Sequence, residues 1–145
     1  MRWDERRLAA YADYANAVKK VISLATRLAA HQGLHQETEA LEPDIALPAI
    51  SAAEDERTIK WETFLLVGSK DAVVAAREWH ESVWLLESLA KGETGEVAWP
   101  EALEATSLAR SRYYHTTRRD LGITGVDTGE AWQLGKWSRR ESTSS

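Results

Sequence analysis

Residues 72–90, AVVAAREWHESVWLLESLA, contain the pattern that decides the fold. Small and apolar residues recur in this stretch at alternating steps of four and three. Such spacing places them along one face of an α-helix and is typical of left-handed helix packing. The stretch therefore predicts a bundle helix with a continuous buried seam, formed by Ala72, Ala76, Trp79, Val83, Leu86 and Ala90.

The rest of the chain predicts three further helices and no strand. Apolar residues recur at helical spacing, and no alternating run bounded by turn residues suggests a strand. Gly33 and Gly68 are suited to end helices, while Pro100 is tolerated at a first helical position. The predicted helices cover residues 3–31, 49–67, 69–90 and 100–122. We therefore predict an all-α, four-helix up-and-down bundle domain over residues 1–122.

Two segments lack helical periodicity. Residues 34–48 contain two prolines and several acids, which predicts a long ordered loop between the first and second helices. Glycine, serine and threonine dominate residues 123–145, which predicts a flexible C-terminal tail. The tail nevertheless carries Trp132, Leu134 and Trp137, which either fold back on the domain or dock onto a partner or a second copy. Apolar residues expected to pack inward are Leu34, Leu41, Ile45 and Leu47 in the loop, and Ile50, Ala53, Trp61, Phe64 and Leu65 in the second helix.

Length and composition are those of one globular domain. The chain has 145 residues, of which 43% are hydrophobic and 28% are charged. It shows no apolar run long enough to span a bilayer and no secretory signal. There is no cysteine, which fits a cytoplasmic location. The net charge of −5 argues against nucleic acid as the main partner.

Histidine and glutamate in the third helix raise the question of a metal site. A di-metal carboxylate bundle needs Glu-x-x-His pairs that project inward, but Glu78 and His80 are two residues apart and point to different sides. His31 and His35 have the spacing of two ligands on one helix face, but the glycine between them ends the helix. We therefore predict no metal and no cofactor, and place His80 and Trp84 on a packing row beside the seam.

Polar aromatic residues in the fourth helix suggest a second kind of site. Tyr113 and Tyr114 lie on its predicted inner face, where their hydroxyls need hydrogen-bond partners. They either cap the bundle core or line a small polar pocket with Trp61 and Trp84. No nucleophile elbow, phosphate-binding glycine loop or dinucleotide fingerprint is present. A small-molecule-binding or enzymatic bundle therefore stays an alternative to a non-enzymatic protein.

Charged residues would polarise the predicted bundle along its length. Acids gather at one end, in residues 37–44 and 93–104. Such a polarised rod suits association between ends or antiparallel pairing. A nucleic-acid-binding accessory role is a weaker alternative, since such proteins usually show a longer basic stripe with interleaved aromatics. The opposite, basic end contains Arg2, Arg6, Arg7, Arg112, Arg118 and Arg119.

Three stretches resemble a recurring pattern in uncharacterised helical proteins of actinobacteria. They are RRLAAYADYANAVK at 6–19, KWETFLLVGSKDAVVAAREWHESVW at 60–84 and RRDLG at 118–122. The resemblance covers residues 3–122 and implies a helical bundle of bacterial origin. It implies no activity and no functional residue.

The sequence as a whole favours a protein-interaction or assembly module. We expect it to form a dimer through tryptophan-bearing surfaces and oppositely charged bundle ends, with another protein as the alternative partner. A small-molecule ligand is left open. The candidate partner-binding residues are His80, Trp84, Trp132 and Trp137.

Overall fold

The computed structural model describes residues 3–93 and 95–122 of the chain. Its four helices are α1 (Trp3–His31), α2 (Pro43–Val67), α3 (Lys70–Ala90) and α4 (Trp99–Asp120). The described residues contain no strand, so the predicted all-α, up-and-down bundle is confirmed. No helix in this part of the chain is long and apolar enough to cross a membrane.

Three helix pairs pack closely: α1 with α2, α3 with α4, and α1 with α3. Helices α1 and α3 run in the same direction, and small residues such as Ala15 and Ala76 let them approach each other. All six residues of the predicted α3 seam are buried, so that prediction is confirmed. Trp79, the largest of them, is fully buried and packs its ring 4.9 Å from that of Tyr113.

The start of α2 differs from the prediction. We expected a loop over residues 34–48, but the helix begins at Pro43 and the connection covers only residues 32–42. Pro43 occupies a first helical position, where its missing N–H costs nothing. Pro48 lies inside the helix and removes one backbone hydrogen bond. Burial of Ala46 and Ile50 on either side offsets that loss, which explains why Pro48 does not end the helix.

Several apolar residues expected to pack inward lie on the surface instead. Ile50, Ala53 and Phe64 are buried, and half-buried Leu41 and Trp61 pack against the core, as expected. The sequence expectation was wrong for four residues that are exposed. Three of these lie on α2, which begins at Pro43 and whose core face follows Ala46, Ile50, Ala53 and Phe64. The exposed residues are Leu34, Ile45, Leu47 and Leu65.

Polar contacts hold three segments together at one end of the bundle. Arg7 Nε of α1 donates to the backbone oxygen of Val67 at 2.7 Å, and the backbone N–H of Ser69 donates to the Tyr11 hydroxyl at 3.1 Å. The Tyr11 hydroxyl in turn donates to the carboxylate of Asp120 at the end of α4. The start of α1, the α2–α3 turn and the end of α4 therefore share one end, as the up-and-down order requires.

Candidate functional site

A partly buried polar cluster lies between α2 and α3. Arg57 Nε donates to Glu54 Oε1 at 2.5 Å, and both residues belong to α2. His80 of α3 places its Nε2 3.5 Å from Glu54 Oε2. Arg57 Nη1 also lies 3.3 Å from the Tyr14 hydroxyl of α1, so the cluster draws on three helices. Its last member is Glu87, one residue after the seam residue Leu86, and it is only 3% exposed. We call Tyr14, Glu54, Arg57, His80 and Glu87 the polar cluster.

Glu54 and Glu87 bring two carboxyl groups together in the polar cluster. Oε2 of each residue is buried without a hydrogen-bond partner, and two ionised carboxylates have no hydrogen to donate to each other. Burial and the neighbouring Glu54 raise the pKa of Glu87 to about 8. We infer that Glu87 is protonated at neutral pH and shares this proton with Glu54, which would give both oxygens a partner.

Glu54 keeps the negative charge of this pair. Burial acts to raise the pKa of Glu54, but hydrogen bonds from His80, Glu87 and Arg57 outweigh it and hold that pKa well below its usual range. Lys91 Nζ lies 3.9 Å from Glu87 Oε1 and acts to lower the pKa of Glu87, but this effect is smaller than those of burial and Glu54. The cluster thus holds one ionised and one neutral carboxyl group side by side.

The polar cluster sets Arg57 and His80 against the two carboxyl groups, as in a network of ion pairs. The residues that the structure describes contain no group of three potential ligands able to hold a metal ion. A shallow cleft of about 230 Å³ lies elsewhere, at the basic end, and is lined by Ser69, Asp71, Thr116, Arg119 and Asp120.

Trp84 and His80 lie together on the α3 surface beside the cluster. Their rings are parallel, with centroids 6.5 Å apart. His80 is half-buried through its contact with Glu54, whereas Trp84 is 64% exposed. The structure thus brings together two of the four predicted partner-binding residues. The other two, Trp132 and Trp137, lie outside the described residues, as does the predicted tail.

The three predicted pocket residues belong to one aromatic core. Tyr113 is buried, and its hydroxyl donates to the backbone oxygen of Tyr11 at 2.6 Å. Half-buried Tyr114 packs edge-on against Tyr113 at 5.5 Å. Trp61 stacks on Phe64 at 5.4 Å, and Phe64 contacts Tyr113 at 6.1 Å. These rings fill the space between them, and Trp84 is not part of the row.

The predicted basic end contains acids that pair with several of its arginines. Arg7 Nη1 lies 3.4 Å from Asp120 Oδ2, and Arg119 Nη2 lies 3.8 Å from Asp71 Oδ2. Arg112 is 3.6 Å from Glu78 on the side of α3. These pairs reduce the positive potential of this end. Of the remaining predicted arginines, Arg118 is half-buried, Arg6 is exposed and Arg2 lies outside the described residues.

The two histidines at the other end have separate roles. His31 is exposed in the last turn of α1. His35 accepts a hydrogen bond at 3.1 Å from Nε1 of Trp99, which is buried at the start of α4. The connection after α1 is also held by Arg27, whose Nε donates to the backbone oxygen of Glu39 at 3.1 Å. His35 thus serves packing between the connection and α4.

Sequence reasoning missed three members of the polar cluster. Glu54 and Arg57 form an i, i+3 pair, a spacing that ordinary solvent-exposed helix faces also show. Glu87 lies four residues after the seam residue Val83, and this spacing is the available signal that it borders the core.

No protein-family model, curated protein or solved structure matches this chain. The resemblance to helical proteins of actinobacteria stays a prediction.

Proposed function

We propose that this chain is a non-enzymatic assembly module that forms a two-fold dimer through the outer face of α3. The observation that carries the proposal is the exposure of Trp84 on a helix fixed by its buried seam. Burying about 150 Å² of this ring in a partner surface contributes about 4 kcal/mol before the costs of association. Two copies of the ring are buried in a symmetric pair.

The outer face of α3 has a second helical seam, opposite in position to the buried one. Val74, Arg77, Glu81 and Trp84 follow one another at steps of three, four and three, and all four are exposed. We call these four residues the α3 outer face. Val74 is 49% exposed, so the face has an apolar residue near each end and opposite charges between them. Its spacing is the one by which two helices pack side by side.

Antiparallel pairing makes this face complementary to itself. If the two-fold axis passes near residue 79, Val74 of each copy lies opposite Trp84 of the other, and Arg77 lies opposite Glu81. The pairing then contains two apolar contacts and two ion pairs, with no like charges opposed. Arg77 places its guanidinium carbon 5.9 Å from the Trp61 ring centroid, and the residue stays exposed beside this contact. A second copy therefore fits the face in both shape and charge.

Light scattering after size exclusion tests the proposal. The full chain is expected at twice its 16.3 kDa mass at 100 µM, and Trp84→Ala is expected to shift it toward the monomer. Leu108→Ala is the matched control, because Leu108 is an exposed apolar residue on α4. A full chain that stays at the monomer mass at this concentration would contradict the proposal, since self-association would then be weaker than roughly 5.5 kcal/mol.

Charge exchange tests the pairing itself. Arg77→Glu alone and Glu81→Arg alone each oppose like charges across the axis and should weaken the dimer. The double variant restores opposite charges and should recover the dimer. If the double variant is as monomeric as the single ones while its melting temperature is unchanged, the antiparallel pairing is refuted.

A further inference from the structure

Helix α2 has a second apolar face that the bundle does not cover. Ile45, Ala52, Ile59 and Leu66 recur at every seventh position, and all four are exposed. Ile59 is 65% exposed and Leu66 is 81% exposed, although both are large and apolar. A seven-residue repeat drifts by only about 20° per repeat on a helix, so the four side chains form one row. We call them the α2 outer row, which runs about 32 Å along the helix.

Acidic residues beside this row indicate what kind of segment can bind to it. Asp55 and Glu62 flank it on one side, are exposed, and have no ion-pair partner among the described residues. Glu56 flanks it on the other side, with Lys20 of α1 3.5 Å away. A second copy packed antiparallel on this row would place Asp55 of each copy opposite Glu56 of the other, which is unfavourable. An apolar segment with basic residues is favoured instead.

The C-terminal segment of this chain has that chemistry. Residues 130–140 read EAWQLGKWSRR. They combine large apolar side chains with a cluster of basic ones that would lie near Asp55 and Glu62. The apolar residues are Trp132, Leu134 and Trp137, and the basic ones are Lys136, Arg139 and Arg140.

The point where the chain leaves the bundle suits this contact. Asp120 ends α4 beside Arg7, and Arg7 binds the backbone oxygen of Val67. The chain after α4 therefore starts at the end of the bundle where Leu66, the most exposed residue of the α2 outer row, is found. Ten extended residues span up to about 35 Å, which exceeds the length of the row. We propose that residues 130–140 bind the α2 outer row of their own chain.

Disulfide mapping in the full chain tests this binding directly, because the natural chain contains no cysteine. Thr63→Cys places a thiol beside the α2 outer row without removing an apolar residue, and Ser138→Cys places one in the C-terminal segment. The control pair is Ser107→Cys with Ser138→Cys, since Ser107 is exposed on α4 and within the same reach. Both pairs carry Trp84→Ala, so that the result does not depend on dimer formation through α3.

The expected result is an intrachain disulfide that forms at least fivefold faster in the Thr63 pair than in the control pair. Adding Ile59→Asp, or Lys136→Glu with Arg139→Glu and Arg140→Glu, should lower the rate to that of the control. Equal rates in the two pairs would overturn the proposal. Mixing isotopically labelled and unlabelled chains identifies crosslinks between molecules, and a predominance of those would also overturn it.

Discussion

Replacing Glu87 by glutamine tests the shared proton in the polar cluster. The amide has the shape of a protonated carboxyl group and can donate to Glu54 Oε2, but it does not titrate. The natural side chain is 3% exposed, so solvent screens its interactions little. Glu87→Gln should therefore keep the hydrogen bond of the neutral form and remove its pH dependence.

The size of the effect follows from the pKa of Glu87. Its folded value of about 8 lies above the ordinary value of 4.5, so between these two pH values the folded state holds a proton that the unfolded state has released. The stability due to this group is fully present below the unfolded value and is lost as pH rises toward the folded one. The slope approaches about 1.4 kcal/mol per pH unit, so the natural chain should lose about 3 kcal/mol between pH 5 and 7.5.

The stability due to Glu54 changes with pH in the opposite direction, which sets the lower pH limit of the test. Its folded pKa is lowered, so its contribution is present above the unfolded value and is lost as pH falls through acidic values. The contribution of the two groups to stability is therefore greatest near pH 5. Histidines also titrate between pH 5 and 8, so the difference between the natural chain and Glu87→Gln over this range, rather than either curve alone, reports on Glu87.

Urea unfolding followed by tryptophan fluorescence measures the difference. Glu87→Gln should match the natural chain within about 1 kcal/mol at pH 5 and exceed it by about 2–3 kcal/mol at pH 8. Glu104→Gln is the control, because Glu104 is an exposed carboxylate on α4, away from the polar cluster and the α3 outer face. If the natural chain and Glu87→Gln lose stability in parallel between pH 5 and 8, Glu87 is ionised in the folded protein and the shared proton is refuted.

Two further predictions concern the fold. Phe64→Ala removes a fully buried ring that contacts Tyr11, Tyr14 and Trp61, and should lower the free energy of unfolding by about 3–5 kcal/mol in urea titrations, whereas a loss below 1 kcal/mol would contradict its central position. Ser69→Ala removes the side-chain oxygen that accepts from the backbone N–H of Ala72 at 3.1 Å and should cost about 1 kcal/mol, while Ser69→Asp, which keeps a capping oxygen, should retain most of the stability in the same assay.

The helices with one apolar face were the predictable part of the fold. The seam of α3 predicted its orientation because six small or apolar residues recur without interruption at steps of four and three, whereas Val74 and Trp84 on the opposite face are separated by Arg77 and Glu81. The extent of α1 was likewise predicted, with its end near His31. Helix α2 was predicted less well because apolar residues lie on two of its sides, so that Leu65 was assigned inward although it is exposed. Periodicity gives the orientation of a helix only when one face is clearly more apolar than the rest.

The polar cluster could not be predicted for a different reason. Glu54, His80 and Glu87 meet only because α2 and α3 have a particular axial register, which depends on packing across the whole bundle. Each of these residue types is usually found at the surface, so a single sequence gives no reason to place them inside. The turn at Ser69 shows that α2 and α3 are antiparallel, but it does not determine which residues face each other several turns away.

The polar cluster also resolves an ambiguity that the two apolar faces of α2 create. A helix with apolar residues on opposite sides has two rotational settings that bury comparable area. In the observed setting Glu54 accepts a hydrogen bond from Arg57 and lies beside His80 and Glu87, whereas rotation of the outer row into the core would leave Glu87 buried without Glu54. A buried neutral carboxyl group without a partner costs about 1–3 kcal/mol, which favours the observed packing over one of similar apolar area. Replacing a buried ionic cluster by apolar residues is often neutral for stability, so its main contribution here is to fix which face of α2 turns outward and bears Ile59 and Leu66.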